Sequence, residues 1–231
     1  LIVYEKPGIY TEAINQIYEL IKLAPFKDAR VRIMPERIGK YTVSTPTHPA
    51  VISYAAAVGK KEGEGPLGDR FDQVVTDDLF GEESWEKAES RFQYEVATAA
   101  IAKAGLTPSQ VDVSLGGDLL NQIMAASMAA RELHTPFLGL YGACSTMAES
   151  LCIGAMMVDG GYARHALCTA SSHFCTAERQ YRTPLDYGAF RTPTAQWTAT
   201  AAGGVMLTPE GKGPMVRAVC FGRVRDYDVT D

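Results

Sequence analysis

Tyr141 to Gly161 reads YGACSTMAESLCIGAMMVDGG. Apolar and small residues lead into a cysteine, and a hydrophobic helical pattern follows at once, so the thiol of Cys144 is expected at a strand-to-helix turn. The neighbouring elements extend the alternation: strand PFLGLY before the turn, a helix over 145–158 after it, then strand ARHALCTASS. Upstream lie a strand over 111–115, the loop GGDLLNQ and a helix from about 122 to 133. Short apolar strands alternating with helices predict parallel βαβ units and a sheet covered on both faces, hence an α/β fold.

Further out, Ser84 can cap a helix over SWEKAESRFQYEVATAAIAKAG, with Ala88, Phe92, Val96 and Ile101 on one apolar stripe and Gly105 as its left-handed stop. Thr107-Pro108 starts a short helical turn, since proline at the first helical position costs no hydrogen bond. KKEGEGPLGDRFD, Lys60 to Asp72, reads as a surface loop. TATAAGGVMLTP and GPMVRAVCFGRV read as two further strands after a stretch rich in Arg, Pro and aromatic residues. Residues 1–33 differ in character: Thr11 can cap a helix carrying Ile14, Ile17, Tyr18 and Ile21, which Pro25 stops, and Met34 is a candidate natural start.

With 231 residues, 46% of them hydrophobic, the chain can bury a sizeable core. A net charge of −5 without runs of Lys and Arg argues against nucleic acid as a partner. Met147 to Val158 is too short to span a bilayer and is interrupted by Glu149, so any membrane association is expected to be peripheral. Five cysteines without paired spacing fit reduced thiols in a cytoplasm-like compartment.

A cysteine in the first turn of a helix meets free N–H groups and the positive end of the dipole, which favour a thiolate; the plainer alternative is a small residue chosen for packing. A nucleophile also needs a base and an oxyanion-binding group. Among the histidines, His173 closes TASSH just after Ser172, at the carboxyl end of a strand where open α/β sheets place ligands, and either lines the pocket of Cys144 or is a satisfied polar group under a loop. Asp118, Asn121 and Gln122 occupy the equivalent place after the preceding strand, and can bind a polar ligand or cap the next helix, Asn121 most readily the latter. In TAERQYRTPLDYGAFR, Arg179, Arg182 and Arg191 with Tyr181 and Tyr187 suit an anionic, planar ligand, although surface ion pairs explain each arginine singly. The pairs His165-x-x-Cys168 and His173-x-Cys175 are weak metal signals, and no glycine-rich phosphate loop is seen. No resident metal or cofactor is expected.

GPLGDRFD, SWEKAE, GGDLLNQ, PFLGLYGACSTMAE, VDGGYARHAL, TASSHFCTAERQYRTPLDYG and WTATAAGGVMLT, in this order, closely resemble the stage V sporulation protein AD family of endospore-forming Firmicutes, from about Arg37 onward. The resemblance implies a thiolase-like fold, built in full from two similar βαβ halves. On that basis residues 1–33 are an extension outside the family pattern, 34–210 the first half and 211–231 the start of a second half, as a gene fragment or an imperfect gene model would give. It also implies binding of dipicolinic acid, pyridine-2,6-dicarboxylate, alone or as its Ca2+ chelate, and a part in its uptake into the developing spore. The implied partners are membrane proteins of the same sporulation operon, at the cytoplasmic face of the inner forespore or spore membrane, with a homodimer as the implied assembly. Cys144 stands where thiolase-fold enzymes carry the acyl-accepting cysteine, with Asp118 in a loop facing the same pocket, so the competing expectation is an acyltransferase.

Overall fold

The computed structural model describes residues 34–181 and 197–227. The expected helix within residues 1–33, and Arg182, Tyr187 and Arg191, lie outside the described residues. In chain order the elements are β1 (Thr42–Ser44), β2 (Ala50–Gly59), the single turn α1 (Lys60–Gly63), β3 (Gln73–Val75), α2 (Trp85–Lys103), β4 (Val113–Gly117), α3 (Met124–Leu133), β5 (Phe137–Gly139), α4 (Thr146–Asp159), β6 (Ala166–Ser172), α5 (Phe174–Tyr181), β7 (Ala201–Thr208) and β8 (Ala218–Cys220).

Six strands form one sheet in the order β3-β2-β7-β6-β4-β5, and β1 pairs with β8 in a separate antiparallel ribbon. The parallel units expected around the cysteine turn are present, since β4 runs parallel to β5 and to β6. β7, read from the sequence as a strand with no direction assigned, is antiparallel to both β6 and β2 and makes the sheet mixed. The strand read in GPMVRAVCFGRV shortens to β8 and joins β1 rather than the large sheet. β2 has no counterpart among the expected strands: its run of small residues alternates too weakly to show a period of two. The loop expected over 60–72 holds α1 and a short turn at Gly68–Arg70.

The α2 helix forms as its sequence predicts. Ser84 Oγ accepts from the Lys87 amide at 3.3 Å, and Ala88, Phe92, Val96 and Ile101 are buried. Gly105 takes φ +70°, a conformation that costs a residue with a Cβ, and so ends the helix. This stripe packs on one face of the sheet with Leu167 and Met206. Gly204 of β7 permits the contact, because a Cβ there would lie 3.0 Å from the Val96 carbonyl oxygen. On the other face, Ala155 and Val158 of α4 meet Leu115, Cys168 and Leu207. Full burial of a side chain the size of Phe92 contributes about 2 to 3 kcal/mol, so the two layers together fix where the strand ends lie. None of the described helices is long and apolar enough to cross a membrane.

Candidate functional site

A cavity of about 460 Å³ opens where the carboxyl end of β6 meets the amino end of β7. Because β7 runs against β6, Ser171 and Ser172 pair across the sheet with Ala202 and Ala201, and all four reach the cavity. Cys144 forms the opposite wall with Ala143 and Met147. It lies in the short turn Ala143–Ser145 immediately before α4, and its side chain is exposed. Ala143 precedes it with φ +46°, an uncommon conformation for a non-glycine residue, and the turn thereby presents Cys144 to the cavity instead of folding it under the helix.

The rim is aromatic. Trp197 lines the cavity and stacks on Phe174 with ring centres 4.0 Å apart and planes 7° from parallel. The Lys61 ammonium sits 3.2 Å from the Trp197 ring centre, bringing a cation to a wall whose described residues carry no charge. Ser172 Oγ donates to the Ala199 carbonyl at 2.7 Å, and Thr200 Oγ1 accepts from the Phe174 amide at 3.0 Å, so the segment entering β7 is fastened to the end of β6.

Of the residues expected at the site, Cys144 and Ser172 line the cavity. Asp118 does not: it is buried, and its two carboxylate oxygens accept from the amides of Leu120 at 2.8 Å and Ala126 at 2.7 Å. It therefore staples the loop after β4 to the first turn of α3, the capping role assigned by sequence to Asn121. Burial raises its pKa, while the backbone amides pull it back down. Asn121 and Gln122 are exposed and border a separate shallow groove with Met124 and Ser127. The positive φ of Gln122 and Ile123 delays α3 to Met124.

His173 is also turned away from the cavity. It is buried with Nε2 2.8 Å from the Asp78 carbonyl, and its Nδ1 accepts from the Cys175 amide at 3.2 Å. Those partners assign the proton to Nε2, and burial lowers the pKa, so the ring is held neutral as a structural link. Arg179 pairs with Glu86, and its guanidinium lies 5.5 Å from the Trp85 ring centre, on the α2 side. Arg182 and Tyr187 fall outside the described residues. The pair His165 and Cys168 serves structure: His165 Nδ1 is 2.8 Å from the Gln110 carbonyl, and Cys168, its thiol pushed up to about 12 by burial, donates to the Ser150 carbonyl.

Sequence reasoning missed the layer behind the β6 wall. Glu89 of α2 is fully buried, with Oε2 accepting from Thr176 Oγ1 at 2.8 Å and Oε1 from Ser171 Oγ at 3.2 Å. Gln93, one turn on, donates to Thr169 Oγ1 at 2.9 Å and turns its Oε1 to Ser171 at 3.3 Å. Desolvation is the main cause that raises the Glu89 pKa to about 7; the nearby Asp118 charge also raises it, and the hydroxyl donors oppose both. A signal was present: Glu89 and Gln93, four apart, flank Phe92 on the buried face of α2, where polar residues need partners.

A layered α/β unit with a cysteine turn beside a cavity at its strand ends is the arrangement expected of a thiolase-like protein. The chain belongs to the stage V sporulation protein AD family, whose model matches residues 39–231. It is 40% identical over 185 residues to stage V sporulation protein AD of Bacillus subtilis (strain 168), covering 80% of this chain and 55% of that protein. The chain thus spans about half the length of this curated relative. Among solved structures it is similar to 3-oxoacyl-[acyl-carrier-protein] synthase III from Aquifex aeolicus VF5, with 17% identity, 69% of this chain and 53% of that chain covered, and a TM-score of 0.48. It is similar as well to the priming β-ketosynthase of the R1128 polyketide pathway, with 16% identity, 77% and 53% covered, and a TM-score of 0.47.

Proposed function

We propose that the cavity binds dipicolinic acid, alone or as its Ca2+ chelate, and that the protein serves dipicolinate uptake into the developing spore. The observation that carries this reading is the lining itself: Trp197, with Phe174 and the Lys61 ammonium on its ring, stands with Cys144, Ser172 and Thr198 around a space suited to one substituted aromatic ring. An aromatic side chain carrying a cation at the rim of an otherwise uncharged cavity suits a planar anion. The amino end of α4 beside Cys144 adds a favourable dipole for a carboxylate. Family membership supports the sporulation setting.

The partners we propose are membrane proteins of the same operon, met at the cytoplasmic face of the inner forespore or spore membrane. A homodimer is proposed through β5, an edge strand whose Leu138 is exposed and which continues toward the exposed Tyr141.

The second reading is an acyltransferase using Cys144, favoured by the exposure of that thiol in the cavity. The two separate in one pair of measurements. Dipicolinate binding by calorimetry that persists in Cys144→Ser supports the binder. A mass increase at Cys144 after incubation with acyl-coenzyme A, with no dipicolinate binding, overturns it.

A further inference from the structure

The cavity closes in steps between α4 and the sheet. On the sheet side, Ser172 and Ala201 form the outer pair, and Ala170 and Gly203, two residues further in and roughly 7 Å deeper, form the next pair on the same face. On the helix side, Cys144 stands at the outer level and Met147, about one turn on, at the inner one. The third pair, Cys168 and Val205, is out of reach: Cys168 is buried against Gly154 of α4, where a Cβ would lie 2.8 Å from the Cys168 sulfur. Met147 is thus the last side chain before helix and sheet meet. Gly203 makes room for it, since a Cβ there would stand 3.2 Å from the Met147 methyl carbon.

The two levels differ in chemistry. The outer level has Ser172, Thr198, the amino end of α4 and the Lys61 ammonium on the Trp197 ring. The inner level offers only Ala170, Gly203 and Met147. Pyridine-2,6-dicarboxylate is divided in the same way: both carboxylates flank the ring nitrogen, and the edge from C3 to C5 carries only hydrogen. A carboxylate pushed to the inner level would lose its hydration with no donor side chain to replace it, at a cost of several kcal/mol, so the charged edge stays at the outer level and the C4 edge points inward.

We propose that Met147, seated on Gly203, is the specificity-determining side chain of the cavity: it meets the ring edge opposite the carboxylates and restricts the ligand to a ring without a substituent at C4. This inference rests on the dipicolinate reading and adds the orientation and selectivity of the ligand. A thioether suits the task, because it packs against the edge of an aromatic ring and leaves no polar group unsatisfied there. The backbone behind it is fastened. Ser150 Oγ donates to the Met147 carbonyl at 2.9 Å, and the Ser150 carbonyl accepts from the Cys168 thiol at 3.2 Å, which ties this turn of α4 to β6.

The test is calorimetric titration of the full chain with dipicolinate and with 4-ethylpyridine-2,6-dicarboxylate, both as sodium salts, without and with equimolar Ca2+. The wild type is expected to prefer dipicolinate by about tenfold or more, the usual effect of a methylene-sized misfit in a fitted pocket. Met147→Ala removes more heavy atoms than the ethyl group adds, and should bring the two affinities to within about threefold of each other. Each comparison is a ratio of two ligands on one protein, so a loss of folded variant cancels, and the wild-type preference is a test that needs no variant. Equal binding of the two acids by the wild type, or an unchanged preference in Met147→Ala, overturns the role of Met147 and leaves the dipicolinate reading standing. If the wild type binds dipicolinate in neither form, both fall.

Discussion

The two sides of the β6 wall use polar residues in opposite ways. On the cavity side, Cys144 is exposed, and Ser172 and Thr198 are half-buried in the lining. In the layers around it, Asp118, His173, Glu89 and Gln93 are buried with their polar atoms engaged by protein partners. The difference teaches that a functional-looking residue type near a strand end is not yet a site residue. A carboxylate or imidazole becomes available to a ligand only if the backbone has not already claimed it, and here the backbone claimed Asp118 and His173 first.

The sharpest way to break this comparison is Asp118→Ala. It leaves the amides of Leu120 and Ala126 without their buried acceptor and is expected to cost about 3 to 4 kcal/mol in urea unfolding. A loss below about 1 kcal/mol would return Asp118 to the ligand side of the wall.

Next in size is a pH effect. Glu89 rises from 4.5 to about 7 on folding, so the unfolded chain loses this proton first, and stability falls as pH climbs between those values. The shift corresponds to about 3 kcal/mol, fully present at low pH and lost by about pH 8. Asp118, also raised, acts in the same direction; His173, lowered, acts oppositely, its stabilisation being present above its ordinary value and lost as pH falls. Subtracting the Glu89→Gln profile from the wild type isolates the first of these. Parallel profiles would show that Glu89 titrates normally.

His173→Ala should cost about 1 to 3 kcal/mol by removing a buried link to the Asp78 carbonyl, with any loss of ligand affinity no greater than the loss of folded protein explains. The smallest effect is expected for Cys144→Ser. Its exposed side chain should change stability by less than about 0.5 kcal/mol, and a larger drop in melting temperature would mean that the thiol is packed after all.

Much of the architecture was legible in the sequence because it rests on local signals. The Ser84 cap, the Phe92 and Val96 stripe, the Gly105 stop and the strand-turn-helix at Cys144 all follow from spacing. Direction was not legible: nothing local to TATAAGGVMLTP distinguishes the antiparallel β7 from a parallel strand, since pairing is decided by partners far along the chain. The site divided in the same manner. Cys144 and Ser172 were found because turn chemistry and strand ends point to them, whereas Trp197 and Glu89 enter through contacts separated by tens of residues, Lys61 on the Trp197 ring and Thr176 on the Glu89 carboxyl.

The reversed course of β7 has a consequence for how such a cavity can change over time. All five other strands of the sheet share one heading, but β7 runs against them and is entered at the cavity end, through Trp197 and Thr198. A change at Trp197 or Thr198 can therefore reshape the cavity rim while the ladder from Ala201 to Thr208 stays in register. Ligand preference in this fold can drift by retuning that entry, leaving the hydrogen-bonded scaffold untouched.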